Sequence, residues 1–281
     1  MLKFRLASAA VLISAAAAIF VLGKPAADPK PWTRSVDRDL TAQNALVVPR
    51  RFHDSLPADL AAWTVAARKS VFVDTVLPLV LRENERLLAD RGRLLTLAKR
   101  LELGRRLMPA NQKWLANVST LYRVPEGDLT ELLRRVDVVP PSLAIAQAAE
   151  ESGWGTSRFA RLGNALFGQW TFKPGAGIVP MGRDQGESHE VKTYQVLIHS
   201  VRDYIKNLNT LQAYRSLRQI RASYREQDLI PAGYELTTAL SSYSSRGQDY
   251  VQTLRVIIRQ NNLGRFDRAR LDNQQLAALG R

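Results

Sequence analysis

The stretch from Pro141 to Trp170 reads PSLAIAQAAEESGWGTSRFARLGNALFGQW, and it constrains the chain more than any other. Proline at a first helical turn and Ser142 as a cap predict a helix start. Ala144, Ala146, Ala148 and Ala149 are strong helix formers, and their small side chains permit close packing. The helix must end by Gly153 or Gly155, where glycine suits the left-handed terminal conformation. It therefore carries two adjacent carboxylates, Glu150 and Glu151, into a glycine-broken turn beside aromatic residues.

That arrangement is a candidate acid site. A carboxylic acid that donates a proton near neutral pH needs a raised pKa. Burial among Ala, Trp and Phe disfavours the anion, as does a second carboxylate next door. The carboxyl end of a helix is also the negative end of its dipole. Neighbouring helical residues point about 100° apart, so only one of the pair faces a cleft. Helix geometry alone leaves open which one.

The surroundings read as helical. Phe72, Val76, Val80, Leu87, Leu94 and Leu101 recur at steps of four and seven, which predicts helix from about residue 66, kinked or restarted at Pro78. Pro109 opens a further stripe of Trp114, Val118, Leu121 and Tyr122, and Asp128 is placed to cap 129–136. Leu208, Leu211, Leu217 and Ile220 continue the helical spacing, as do Val251, Leu254, Ile257 and Ile258. Between 171 and 194 the texture changes to glycine and proline, predicting two short strands near 176–181 and 188–194 around a turn at 182–186.

Composition narrows the function classes. The 281 residues contain no cysteine, which excludes disulfides and thiolate metal sites. Three histidines without helical metal-ligand spacing argue against a metal, and nothing calls for a cofactor. The net charge is +14 but unevenly placed. Residues 138–200 carry five Lys+Arg and five Asp+Glu, between flanks 82–135 with 12 against 7 and 201–281 with 13 against 7. A neutral centre between basic flanks fits a large anionic partner held around a neutral site, although solubility charge on helix faces reads equally well. At the N-terminus, Lys3 and Arg5 precede an uncharged apolar run, residues 6–23, closed by Lys24. That layout is a secretory signal, cleavable after Ala27, or an uncleaved inner-membrane anchor with its N-terminus in the cytoplasm. Export makes a cell-wall polymer the fitting anion and a nucleic-acid partner an unfitting one.

The motif Ala146-Gln-Ala-Ala-Glu-Glu-Ser-Gly-Trp-Gly155, followed by Asn164-Ala-Leu-Phe-Gly168, resembles the bacterial glucosaminidase domain family. Gln169-Trp170, His189-Glu-Val and Tyr243-Ser-Ser-Arg-Gly-Gln-Asp-Tyr250 extend the resemblance to its Bax-type branch, over about residues 66–265. The resemblance implies a mainly α, lysozyme-like helical domain with a small β-hairpin, here preceded by an extra helical region, and cleavage of peptidoglycan glycan strands. It implies Glu151, the glutamate directly before Ser-Gly, as the general acid, and Tyr243 as a tyrosine of the cleft. The family often places a second glutamate on the first hairpin strand, but Lys173–Gly182 holds no acid. Of Asp184, Glu187 and Glu190, only Glu190 falls inside a predicted strand, so it is the expected second catalytic group. A substrate 2-acetamido group acting as internal nucleophile is the alternative.

The expected activity is an endo-β-N-acetylglucosaminidase cleaving β-1,4 bonds between N-acetylglucosamine and N-acetylmuramic acid. Trp154, Asn164, Phe167 and Trp170 would form the cleft wall and sugar platform, although Trp154 and Phe167 fit a hydrophobic core equally well. Two rivals stand beside it: a muramidase or lytic transglycosylase on the same fold, and a non-catalytic, membrane-tethered wall-binding scaffold. The expected organisation is a signal or anchor at 1–27, a linker at 28–65, a helical region at 66–136, a catalytic domain at 137–266 and a tail at 267–281.

Overall fold

The computed structural model describes residues 45–273 apart from residue 185. The proposed anchor and the first part of the linker lie outside the described residues, as does most of the tail. In chain order the elements are β1 (Val47–Val48), α1 (Val65–Glu102), α2 (Pro109–Tyr122), α3 (Leu129–Arg135), α4 (Pro141–Ser152), α5 (Arg158–Gly163), β2 (Trp170–Thr171), β3 (Gly177–Ile178), β4 (Glu190–Lys192), α6 (Leu197–Thr210), α7 (Arg215–Glu226), α8 (Gly233–Leu236), α9 (Gln248–Gln260) and β5 (Arg270–Leu271). The architecture is mainly α with a small antiparallel sheet, as expected of a lysozyme-like chain.

Two helices form the axis of the body. α4 is buried on all sides over nine consecutive residues, Pro141 to Ala149, which its alanines permit because they let neighbouring backbones approach. α1 is 38 residues long, about 57 Å at the helical rise, and starts at Thr64, whose hydroxyl accepts from the Ala67 amide. Pro78 does not restart it: the helix runs through the proline as one element. Seven consecutive residues around it, Thr75 to Leu81, are buried, and this all-round packing offsets the roughly 3 kcal/mol that an interior proline costs.

The expected helical layer and the catalytic domain share one core. Phe72, Val76, Val80 and Leu87 of α1 belong to the same buried cluster as Leu143, Ala146 and Leu254. Polar groups stitch the same junction. Asn84 exchanges two hydrogen bonds with the Val139 backbone, at 2.8 and 3.1 Å. Asp137, in the link between α3 and α4, is buried against Arg225 at 2.7 Å, Arg221 at 3.6 Å and Arg91 at 3.7 Å. Desolvation works against its charge, but the three guanidinium groups overcome it and hold the carboxyl well below the usual range.

Both ends of the described chain are more integrated than a linker and a tail. β1 pairs in parallel with β5, Val47 opposite Arg270 and Val48 opposite Leu271. Leu56 and Leu60 are buried in the core. Asp267, not Ser142, supplies the cap at the start of α4: its carboxylate accepts from the Ser142 amide at 2.8 Å, the Ser142 hydroxyl at 2.8 Å and the Gly233 amide at 2.9 Å. A carboxylate there also meets the positive end of the helix dipole.

The expected two-strand hairpin is a three-strand sheet in the order β2-β4-β3. Trp170 stands opposite Val191 and Ile178 opposite Val191 on the other side. The strands are shorter than the predicted 176–181 and 188–194. Pro180 has no amide to continue the ladder, and Arg158 takes the Val179 carbonyl at 2.6 Å. The helical spacing of 208–220 is likewise interrupted. Arg218 of α7 donates to the Leu208 and Leu211 carbonyls at 3.0 and 2.8 Å, closing α6 where an unbroken helix would have continued.

Candidate active site

α4 ends in a tightly wired turn. The Ser152 hydroxyl donates to the Ala148 carbonyl at 2.5 Å and accepts from the Gly155 amide at 2.8 Å, and the Trp154 amide reaches back to Ala149 at 2.9 Å. Gly153, Trp154 and Gly155 are all left-handed, with φ of 59°, 57° and 81°. Trp154 thus bears a conformation costing about 1–2 kcal/mol, compensated by its edge-on contact with Phe72 at 5.6 Å and by Lys69 above its ring at 4.7 Å. Leu56, Leu60 and Phe72 crowd Gly155 so closely that an added Cβ would stand 2.6 Å from the Leu56 side chain.

This turn separates the two glutamates. Glu150 pairs with Arg246 at 2.6 Å on the outside. Glu151 turns inward and accepts from the Tyr250 hydroxyl of α9 at 2.9 Å. Its second oxygen faces Gly168, whose φ is 60° and whose missing Cβ would lie 3.8 Å away.

Around Glu151 the structure gathers tyrosines from four segments. Tyr250 stacks on Tyr243, with ring centres 5.3 Å apart and planes within 6°. Tyr214, in the turn after α6, tilts against Tyr243 at 5.9 Å. Tyr204 of α6 stacks on Phe167 at 3.9 Å. The pKa of Glu151 is raised, first by burial and then by the charge of Glu150; the Tyr250 hydrogen bond and Arg246 oppose the shift. Burial, together with the nearby carboxylate, pushes the Tyr214 phenol up to about 12 and raises Tyr204, Tyr243 and Tyr250 as well. All four are neutral hydroxyl donors across the ordinary pH range. The arrangement offers a carboxyl group kept protonated beyond its usual range and a preorganised donor waiting for the anion it leaves behind.

The remaining expected residues divide. Tyr243 lines the same cage, but its hydroxyl donates to the Phe167 carbonyl at 3.4 Å. Trp170 is exposed on β2, stacked on His189 at 4.0 Å, and presents a flat apolar face. Phe167 is buried against Tyr204. Asn164 sits left-handed at the end of α5 and donates to the Tyr194 and Gln195 carbonyls, each at 3.1 Å. Glu190 spends both oxygens on the backbone, accepting from Gly175 at 3.0 Å and Gly177 at 2.8 Å. Among the described residues no group of three acids and histidines is placed to hold a metal ion.

Tyr250, Tyr204 and Gln147 were not among the expected site residues. Tyr250 closes the quoted 243–250 motif, and Gln147 lies four residues before Glu151, on the same helix face. Those were the available signals.

The sequence profile of the glucosaminidase family, described as mannosyl-glycoprotein endo-beta-N-acetylglucosaminidase, matches residues 127–263. Among curated proteins, Protein bax of Escherichia coli (strain K12) is 32% identical over 200 residues, covering 69% of this chain and 70% of the relative. The chain belongs to the glucosaminidase-domain family, in its Bax-type branch. No solved structure matches it. At family level it carries a domain of glycoside-hydrolase type. The matched span begins just before α3 and ends just after α9, so it holds Glu151 and its tyrosines but not α1, which packs behind them.

Proposed function

We propose that this protein is a peptidoglycan hydrolase that cleaves the β-1,4 bond on the reducing side of N-acetylglucosamine, with Glu151 as general acid. The observation that carries the reading is the division of labour at the end of α4. Glu150 is neutralised by Arg246, while Glu151 is half-buried among phenols and its pKa is raised. An acid whose protonated form persists above the ordinary glutamate range is what protonation of a glycosidic oxygen requires.

In the proposed reaction Glu151 gives its proton to the bridging oxygen as the anomeric C–O bond breaks. With both Glu190 oxygens engaged by backbone amides, we assign the second role to the substrate. Its 2-acetamido carbonyl oxygen bonds to the anomeric carbon, and water then opens that ring, returning a proton to Glu151. Glu190 holds the loop before β3, Tyr243 orients the reactants, and Trp170 is the sugar platform. Trp154, Phe167 and Asn164 build the wall rather than touch the sugar. Export, with residues 6–23 as leader or inner-membrane tether, rests on the charge layout of the N-terminus and on a wall substrate that lies outside the cytoplasm.

Digestion of purified sacculi, with mass spectrometry of the released ends, tests the assignment. Reducing-end N-acetylglucosamine is the expected product. Anhydro-muramic or reducing muramic ends would reassign the bond, and binding without release would make the protein a wall-binding scaffold.

A further inference from the structure

Gln147 is the one large polar side chain among the alanines of α4, and it is fully buried. It stands one helical turn before Glu151, on the same face. Its amide is fixed from both sides. The Tyr204 hydroxyl donates to Gln147 Oε1 at 2.7 Å, and Gln147 Nε2 donates to the Tyr250 hydroxyl oxygen at 3.0 Å. A phenol has one proton to give, and a primary amide donates from one end only. With its oxygen already accepting from Gln147, Tyr250 directs its own proton to Glu151 Oε1 at 2.9 Å. The other glutamate oxygen, Oε2, faces Gly168.

We propose that Gln147 is a positioning residue which, by holding the Tyr250 hydroxyl as a donor to Oε1, keeps the acid proton of Glu151 on Oε2, the oxygen beside Gly168. This rests on the reading of Glu151 as the acid. The chain of donors runs one way, Tyr204 to Gln147 to Tyr250 to Glu151, and it suits both states of the acid. While Glu151 is protonated, Oε1 accepts as a carbonyl. Once the proton has left, the same bond stabilises the carboxylate, and no donor has to turn during the reaction. If the amide were reversed, Tyr250 would give its proton to Gln147, and the Glu151 proton would be drawn to Oε1, away from Gly168. The charged and titratable groups facing Glu151 are Glu150 on its own helix, Arg246 before α9, Tyr250 on α9, Tyr204 on α6, and Tyr214 and Tyr243 from the intervening turns. Of these, only Tyr250 touches it through a hydrogen bond.

The test uses the full chain and four variants: Gln147→Leu, Gln147→Glu, Tyr204→Phe and Glu151→Gln. Gln147→Leu is expected to lower kcat by up to about tenfold with KM little changed, and to move the alkaline limb of the pH profile upward. Gln147→Glu separates orientation from packing. As a neutral acid the new side chain presents a carbonyl to Tyr204 and an O–H to Tyr250, reproducing the amide. Once ionised it accepts from both phenols and pulls the Tyr250 proton off Glu151. Activity near wild type at low pH with an added loss at higher pH is therefore expected. Tyr204→Phe keeps the ring packing and frees the amide to turn, so a smaller loss of the same kind is expected even if the Gln147 variants fold poorly. Wild-type kcat and an unshifted pH profile in folded Gln147→Leu or Tyr204→Phe would overturn the proposal, leaving Glu151 as acid if Glu151→Gln is inert. If Glu151→Gln is instead fully active, the reading of the acid fails. Carbon-13 titration of the Glu151 carboxyl in Tyr204→Phe then still decides the donor chain: an upward shift supports it and an unchanged titration refutes it.

Discussion

Two carboxylates flank α4, Asp137 just before it and Glu151 in its last turn, and the chain treats them in opposite ways. Asp137 lies among Arg91, Arg221 and Arg225 and stays ionised. Glu151 lies among four phenols, and its pKa is raised. Burial pushes both carboxyls upward, and it is the largest influence on each. The difference is made by the partners. Guanidinium groups stabilise only the anion, whereas a phenol can donate to the anion or to the acid's carbonyl oxygen and so leaves the proton free to come and go. Arg246, the cation whose charge acts on Glu151, is paired with Glu150. The same chemical group is thus a permanent structural charge at one end of α4 and a titrating acid at the other.

Removing the titrating acid has the largest expected effect. Glu151→Gln should lower the rate of glycan release by about 10²- to 10⁴-fold while leaving the melting temperature close to that of the wild type. Asp137→Ala should do the reverse. It strands three buried guanidinium groups and should cost about 3–5 kcal/mol of stability, read by urea unfolding. The two sites should also respond to pH with opposite sign. The folded pKa of Asp137 is depressed, so its contribution is present above the unfolded value, about 3.9, and is lost as pH falls below it. The folded pKa of Glu151 is raised, so its ionisation weakens the fold as pH climbs from the ordinary glutamate value, about 4.3, through the higher folded value, and activity falls as that folded value is passed. Unfolding curves from pH 3 to 8 on wild type, Glu151→Gln and Asp137→Asn separate the two.

Smaller effects sharpen the comparison. Tyr250→Phe removes a donor to the carboxylate, so it should raise the pKa of Glu151 further and lower kcat by about tenfold, visible as an alkaline limb displaced to higher pH. Glu150→Gln removes a nearby negative charge and should displace that limb downward by less than about one pH unit, with the rate near wild type.

Much of this was legible in the sequence where the signal is local. The alanine run, the adjacent glutamates and the glycines after them announce a close-packed helix that ends in an acid. The apolar stripes of α1, α2 and α9 follow from helical spacing. What the sequence hid is carried by bonds between distant positions. Asp267 caps α4 from 125 residues away, and Tyr250 reaches Glu151 across 99. Neither leaves a periodic trace. Glu190 shows a related limit. Its place in a strand was readable, but its two backbone bonds to the loop before β3 were not, because they depend on how that loop folds back. Pro78 misleads in part for the converse reason: the local rule allows a restart there, and burial from all sides keeps the helix one element.

The most direct measurement sets the two adjacent glutamates against each other. Glu150→Gln and Glu151→Gln differ by one position and by which way the side chain leaves the helix. Release of soluble fragments from purified sacculi, measured for both beside wild type, should remain near the wild-type rate in the first and fall by at least about a hundredfold in the second. Release by Glu151→Gln at the wild-type rate, or its loss in Glu150→Gln instead, would contradict the assignment of the inward-turned carboxyl as the acid.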